Sequence, residues 1–439
     1  MAETQLLLNF LIILIALLLL MFLGVHVALA CVLVSIVGAI IFWGYDPGLT
    51  MIVHNLRAPL TKFYLLPIIM FTLLGNVMFS SGMAMKMFDA MDKWLGRLPG
   101  RLALLAIGFS TIFSAMSGSQ IATTAMLGAM LTPEMEARGY DKALSVGTII
   151  GAGGLDAIIP PSGMAVVLGA ISGISIGKLL ISGIIPGLLL AFCYVLYIIL
   201  RCYLQPSIAP PYDVKHLPLS KKISDTARYV LPLGIIIFLV LGSMFLGWAT
   251  PSESAAIGAI SALLLTAFYR KLNWELIKKS MMATVQNSGN ILLIVAGSMI
   301  FSQVLAFSGS TRYLAEVAIG LTVSPILLII IMQLFLLGLG MVMGGVPMVM
   351  ITMPIFIPIV LALKFDPVWF GLLTLINMSL AEITPPVGMG LFVMKGVSQD
   401  TNMNDIYNAT WPFVGINIAV MALIIIFPII ATWLPSLMN

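Results

Sequence analysis

Runs of about twenty residues without a charged side chain, the length a helix needs to cross a lipid bilayer, recur from one end of this chain to the other. No aqueous core absorbs that pattern. Of 439 residues, 61% are hydrophobic and 9% charged, against about 25% charged in a soluble domain. An all-α polytopic membrane protein is predicted, because a helix satisfies its own backbone hydrogen bonds in lipid. The net charge of +4 then belongs to cytoplasmic loops and not to a nucleic-acid surface. Cys31, Cys193 and Cys202 lie in apolar runs without CxxC spacing, and His26, His54 and His216 are the only histidines. Neither a disulfide framework nor a histidine-based metal site is expected. Ala28-Leu29-Ala30-Cys31 faintly resembles a cleavage site, but Met1-Ala2-Glu3-Thr4 lacks the basic residues of a signal peptide. Residues 5 to 23 are read as a retained span.

Basic residues assign the sides. Three clusters, Lys86 to Arg101, Lys215 to Arg228 and Arg270 to Lys279, are placed in the cytoplasm by the positive-inside rule. Spans near 229 to 250 and 253 to 269 separate the last two, the even number the rule requires. Counting back through 63 to 82, 26 to 44 and 5 to 23 puts the N-terminus outside, with Arg57 and Lys62 as exceptions. The stretch 103 to 136 has basic residues at both ends and Ser117-Gly118-Ser119-Gln120 at its middle. It is read as a re-entrant hairpin, which lipid tolerates only where it is buried in protein or lines a wet cavity.

The chain repeats itself. Ile158-Ile159-Pro160-Pro161-Ser162-Gly163-Met164 recurs as Ile383-Thr384-Pro385-Pro386-Val387-Gly388-Met389, 225 positions on. The same offset pairs Pro133 with Pro358, Ala137 with Ala362, Asp141 with Asp366 and Leu155 with Leu380, and sets the first hairpin tip against Met343-Gly344-Gly345. An odd number of crossings between the copies makes them inverted. The expected organisation is N-terminal scaffold helices over 1–62, a first repeat over 63–205 with hairpin 103–136 and broken helix 144–175, central helices and cytoplasmic loops over 206–280, and a second repeat over 281–439 with hairpin 325–362 and broken helix 368–398. Inverted repeats with discontinuous helices are common in secondary transporters that bind at the midplane.

Two consecutive prolines break a helix, since each lacks a donor and clashes with the preceding turn. Read alone, a Pro-Pro pair is a packing kink. Duplicated and set beside tips rich in Ser, Thr and Gly, the unwound carbonyls become oxygen ligands for Na⁺, and the exposed helix N-termini suit an anion. Gln120, Thr123, Ser162 and Gly345 lie at the tips and breaks as candidates for substrate binding or coupling, although hydroxyls such as Ser117, Ser119, Thr123 and Thr124 also serve as ordinary helix-helix hydrogen bonders. Asp156 and Glu382 each precede a break, and a carboxylate at membrane depth is a functional candidate by default. A structural pair with a lysine is the alternative.

Leu74-Gly75-Asn76, Ser117-Gly118-Ser119, Pro133-Glu134-Met135, Gly139-Tyr140-Asp141, Ile159-Pro160-Pro161-Ser162, Ile185-Pro186-Gly187 and Thr384-Pro385-Pro386-Val387-Gly388 resemble, in order, the large membrane subunit of tripartite ATP-independent periplasmic (TRAP) transporters. The resemblance implies an elevator-type, Na⁺-driven importer in the bacterial inner membrane, working with a small membrane subunit and a periplasmic receptor that delivers an organic acid. It carries ion sites onto Ser117, Gly118, Ser119, Pro160, Gly344, Thr384 and Pro386. Gln120 departs from the pattern where a third small residue is usual, Asp156 where glycine is common, and Glu382 is also atypical. Two other readings compete. A stand-alone Na⁺/dicarboxylate elevator carrier would share the paired hairpins. An intramembrane hydrolase would need a nucleophile beside a base, and no histidine stands near the Ser/Gly tip.

Overall fold

The computed structural model describes residues 2–60, 65–96, 98–117, 120–210, 218–320, 322–398 and 401–438, the side chains of 2–5, 7, 55–60 and 114–117 excepted. Helices make up the described chain, and it contains no strand. Three open it: α1 (Ala2–Phe22), α2 (Val27–Trp43) and α3 (Tyr45–Leu60). Next, α4 (Leu66–Ser80) turns by 67° into α5 (Met83–Asp92). α6 (Arg101–Ser117) and α7 (Gln120–Ala137) fold back on each other. α8 (Lys142–Gly154) runs through a 3-10 turn, Leu155–Ala157, to a break and then α9 (Gly163–Ser172). α10 (Ile176–Ser182) and α11 (Ile184–Leu204) follow, then α12 (Leu219–Tyr229), α13 (Leu231–Phe245) and α14 (Pro251–Phe268).

The second half opens with α15 (Trp274–Phe307) and α16 (Ser310–Gly320). α17 (Pro325–Met343) and α18 (Gly345–Ala362) pack together. α19 (Pro367–Ile383), α20 (Met389–Val397), α21 (Met403–Ile426) and α22 (Ile429–Ser436) complete the chain. Among the described residues seven helices are long and apolar enough to cross a membrane, or eight with the bent α4–α5 pair as one span.

Sequence register and local structure agree in detail. α7 and α18 begin and end 225 positions apart, as do the starts of α8 and α19. Asp141 caps α8 by accepting from the Leu144 amide at 3.1 Å, and Asp366 caps α19 by accepting from the Val368 amide at 2.7 Å. The preceding helices stop in the same way. The Tyr140 amide donates back to Met135 at 3.0 Å, and the Phe365 amide to Val360 at 3.1 Å, around a left-handed Gly139 (φ 73°) and a left-handed Lys364 (φ 61°). This backward bond satisfies carbonyls that a helix end would otherwise leave open.

Polar contacts sort the ends of the bundle. At one end Lys93 pairs with Asp225 at 2.7 Å, the Leu102 amide reaches the Tyr140 hydroxyl at 3.4 Å, and the Asp141 amide donates to Ile208 at 2.8 Å. Arg101 at the start of α6 also pairs with Asp92 at the end of α5, so the base of the α6–α7 hairpin lies beside α5. A surface cavity of about 580 Å³ brings Gly173 and Ser175, beyond the end of α9, together with Asp366 and Pro367 at the base of the α17–α18 hairpin and with Trp433 of α22.

The sequence reading assigns no element to α5, α16, α21 and α22, and two further helices, α3 and α12, also go beyond it. α3 occupies a stretch assigned no element, and α12 carries Lys221, Lys222 and Arg228, which had been placed in a loop. Both are short and amphipathic, so a search for long apolar runs passes over them. α15 also starts at Trp274, ahead of the expected 281. Lys62, Arg97 and Lys215 lie outside the described residues, as does the side chain of Arg57.

Candidate functional site

Where the two halves meet, the chain pairs with its own copy. The Ser379 hydroxyl of α19 donates to the Gly154 carbonyl of α8 at 2.8 Å, and these residues stand 225 positions apart, the repeat offset itself. Close approach is possible because Gly154 has no side chain: a Cβ there would lie 2.6 Å from the Ser379 Oγ and 3.8 Å from the Gln120 Nε2. A Cβ on Gly153 would collide with the Thr124 Oγ1. Gln120, Thr123 and Thr124, at the start of α7, are all buried beside this crossing. The Gln120 Nε2 and Thr124 Oγ1 find no hydrogen-bond partner among the described residues. Gly118 and Ser119, and the side chain of Ser117, lie outside what the structure describes.

The second tip also meets its broken helix. A Cβ on Gly345 would lie 3.1 Å from the Met378 Cβ of α19, and one on Gly344 (φ 83°) 3.1 Å from the Met389 Cε of α20. Gln120 and Gly345 are register equivalents, as are Gly153 and Met378. In the first half Gly153 meets the Gln120 carbonyl while the Gln120 side chain lies against Gly154, and in the second Gly345 meets the Met378 side chain. Each hairpin's first arm is also tied to the same register point. Ser110 donates to the Ala152 carbonyl at 2.5 Å, and the Asn377 Nδ2 donates to the Gln333 carbonyl at 2.9 Å.

At the first break the peptide between Pro160 and Pro161 is cis, and all residues from Leu155 to Ser162 are buried. The Ser162 hydroxyl donates back to the Ala157 carbonyl at 2.9 Å while accepting from the Ala165 amide at 3.4 Å, so it both closes the break and caps α9. Gly183 and Gly187 let α10 and α11 sit against Ile158 and Ile159; a Cβ on Gly187 would lie 2.5 Å from the Ile159 Cγ1. This accounts for the glycine in Ile185-Pro186-Gly187.

At the second break, also cis between Pro385 and Pro386, Thr384 is buried and its hydroxyl donates to Leu380 at 2.6 Å, whereas Pro386 and Val387 are exposed. The Pro386 carbonyl accepts from the Tyr407 hydroxyl of α21 at 2.8 Å. A Cβ on Gly388 would stand 2.7 Å from the Glu382 carbonyl, so glycine there permits the chain to fold tightly over the end of α19.

Asp156 lies in the 3-10 turn and not on a regular helix, and is 1% exposed. Glu382 lies in the last turn of α19 and is 3% exposed; its Oε2 finds no hydrogen-bond partner among the described residues. Also among these, no three His, Cys, Asp or Glu side chains converge, so oxygen ligands for an ion would have to come from carbonyls, hydroxyls and single carboxylates. The residues missed by sequence reasoning are Ser379, Gly154 and Tyr407. For the first two a signal existed, since the repeat offset already paired them; nothing in the sequence marks Tyr407.

The family model for the tripartite ATP-independent periplasmic transporter, DctM component, matches residues 14–430. The C4-dicarboxylate TRAP transporter large permease protein DctM of Vibrio cholerae is 29% identical over 440 residues, 95% of either chain. The 2,3-diketo-L-gulonate TRAP transporter large permease protein of Escherichia coli is 28% identical over 416 residues, 92% of this chain and 94% of its own. Among solved structures, Neisseria gonorrhoeae MtrF matches with a TM-score of 0.64 over 88% of this chain and 84% of its own, at 14% identity, a likeness of fold alone. Family match, full-length relatives and apolar helices agree: this chain is a multi-pass protein of the bacterial inner membrane and belongs to the family of large permease subunits of TRAP transporters.

Proposed function

We propose that this permease imports a small organic acid in symport with Na⁺ by an elevator movement, together with a small membrane subunit and a periplasmic receptor that hands over the acid. The observation that carries the proposal is the pairing of each hairpin tip with its own broken helix, joined across the two halves by Ser379 and Gly154. The two hairpin bases have different neighbours, α5 beside the first through Arg101 and Asp92 and Gly173 and Trp433 beside the second, which suits an inverted arrangement with two related ion sites. Na⁺ is cargo here, and the donors that suit it are hard oxygens. Pro160, Thr384 and Pro386 offer carbonyls; Ser117, Gly118 and Ser119 would complete the first site, and Gly344 the second. Glu382 supports coupling because its buried Oε2 has no hydrogen-bond partner among the described residues, and a cation beside it would offset the cost of an ionised carboxylate there. Gln120, Thr123, Asp156, Ser162 and Gly345, at the tips and breaks, are the proposed contacts for the acid or for coupling.

Relatives in this family are named for C4-dicarboxylates and for 2,3-diketo-L-gulonate, both small anionic acids, and that chemistry is the one proposed for this chain. Uptake by the reconstituted system should rise more steeply than first order with external Na⁺. Uptake unchanged when choline replaces Na⁺ would overturn the proposal.

A further inference from the structure

Away from the breaks, two cations flank one aromatic ring. The Lys86 Nζ of α5 stands 5.2 Å from the centre of the Tyr229 ring, and the Arg228 guanidinium 5.6 Å from it. Tyr229 ends α12, and Tyr269 follows the end of α14; their rings stack at 5.9 Å, and the Tyr269 hydroxyl donates to the Arg228 carbonyl. The level of this cluster relative to lipid is fixed by its neighbours. Directly beyond Tyr229, α13 exposes Leu231 and Phe238, and directly before Tyr269, α14 exposes Phe268. The cluster therefore sits where exposed apolar surface gives way to charge, the level at which aromatic side chains and cations meet headgroups.

Two of the nearby acids are paired elsewhere, and a third lies close to another lysine. Asp225 pairs with Lys93 at 2.7 Å, Asp92 accepts from the Arg101 Nε at 2.9 Å, and Asp89 lies in the field of Lys93. Among the described residues no carboxylate pairs with Lys86 or Arg228, so both present positive charge beside apolar surface suited to acyl chains. We infer that this cluster is a binding site for an anionic phospholipid, its phosphate held by Lys86 and Arg228 and its acyl chains lying along Leu231 and Phe268. The commitment to a lipid, and not to a free phosphate, follows from that adjoining apolar surface. The inference is independent of which solute the permease carries.

Lipid retention by the purified full-length chain is the test, read by native mass spectrometry while phosphatidylglycerol and phosphatidylcholine compete. The wild type should prefer phosphatidylglycerol, and each cation removed should weaken that preference about fivefold, the value of one basic residue near a charged surface. Lys86→Gln with Arg228→Gln should therefore lose most of it, whereas Lys86→Arg with Arg228→Lys should keep it. Lys278→Gln with Lys279→Gln removes equal charge from the same side of the sequence pattern, and this control should retain the preference. An equal loss in the control would show a general surface field and overturn the site, as would full preference in the Lys86 and Arg228 double variant. Competition by inorganic phosphate without lipid, matching that by phosphatidylglycerol, would likewise overturn it. Thermal unfolding of each variant, followed alongside, separates lost binding from lost fold.

Discussion

The two breaks share Ile-x-Pro-Pro-x-Gly-Met and a cis peptide, yet one is sealed and the other faces outward. From Leu155 to Ser162 every residue is buried, while Pro386 and Val387 are exposed. A single register position accounts for much of the contrast. Ser162 returns a hydroxyl to the Ala157 carbonyl, and its equivalent Val387 has none to return. At the second break the Pro386 carbonyl instead reaches outward to Tyr407 on α21. Neighbouring helices do the rest, because Gly183 and Gly187 bring α10 and α11 onto the first break. Freed backbone groups must be satisfied at either break. One break does so internally, the other through the Tyr407 hydroxyl of a neighbouring helix.

The strongest way to break this comparison is to force the halves apart where they touch. Gly154→Val places carbon where the Ser379 Oγ already stands, 2.6 Å from the first added atom. Overpacking of this kind costs about 3 kcal/mol, and the bond from Ser379 is lost with it. A clear fall in thermal unfolding temperature and loss of uptake are expected, whereas Ser379→Ala should lose only about 1 kcal/mol for one hydrogen bond. A Gly154→Val protein with wild-type stability and uptake would show that the crossing between halves is not a close one.

Next in size is the exchange of the closing residues. Ser162→Ala removes the bond to Ala157 and the cap of α9, and should cost about 1 to 2 kcal/mol in unfolding measurements. Val387→Ser adds a hydroxyl at an exposed position and should change stability by less than about 0.5 kcal/mol. Equal effects at both sites would mean that burial does not separate the breaks.

Much of this architecture was legible in the sequence, and for a physical reason. Pro-Pro pairs, Asp caps and glycine tips act on the local backbone, where α6–α7 spans Arg101 to Ala137 and α17–α18 spans Pro325 to Ala362. α3 and α12 escaped because an amphipathic helix at a surface lacks the long apolar run that marks a span. The unequal burial of the breaks was not legible either. It depends on Gly183, Gly187 and Tyr407 arriving from other helices, and a repeat comparison aligns a segment with its copy, not with what packs on it. The two backbone partners of the Ser162 hydroxyl were not legible either, since they depend on how the chain turns through the break.

A smaller effect is expected at the outward break. Tyr407→Phe deletes the hydroxyl that meets the Pro386 carbonyl at 2.8 Å. Because Pro386 is exposed, water can replace that partner, and the loss should stay near about 0.5 kcal/mol, the low end for a hydrogen bond. If this contact positions the break during transport, uptake rate should change more than stability does. A stability loss matching that of Ser162→Ala, with unaltered uptake, would make the second break as sealed as the first.

The smallest expected effect tests the register outside the breaks. Gly139 and Lys364 occupy the same left-handed position at the ends of α7 and α18, with φ of 73° and 61°, and the same backward bond follows each. A side chain in that conformation is strained by roughly 1 kcal/mol, whereas glycine adopts it freely but loses more freedom on folding. Gly139→Lys should therefore lower stability by about 1 kcal/mol, and Lys364→Gly should raise it by about 0.5 kcal/mol once the unfolded-state penalty is subtracted. Among the described residues a Cβ at Gly139 meets only the Pro210 Cγ, at 3.8 Å, an ordinary contact that adds no crowding to the first measurement. Opposite signs in paired unfolding curves would show that the second copy retains, at Lys364, a backbone shape for which its residue is poorly suited. Two losses of similar size would instead show that Lys364 makes contacts outweighing its strain, and that the two helix ends are alike in shape but not in what holds them.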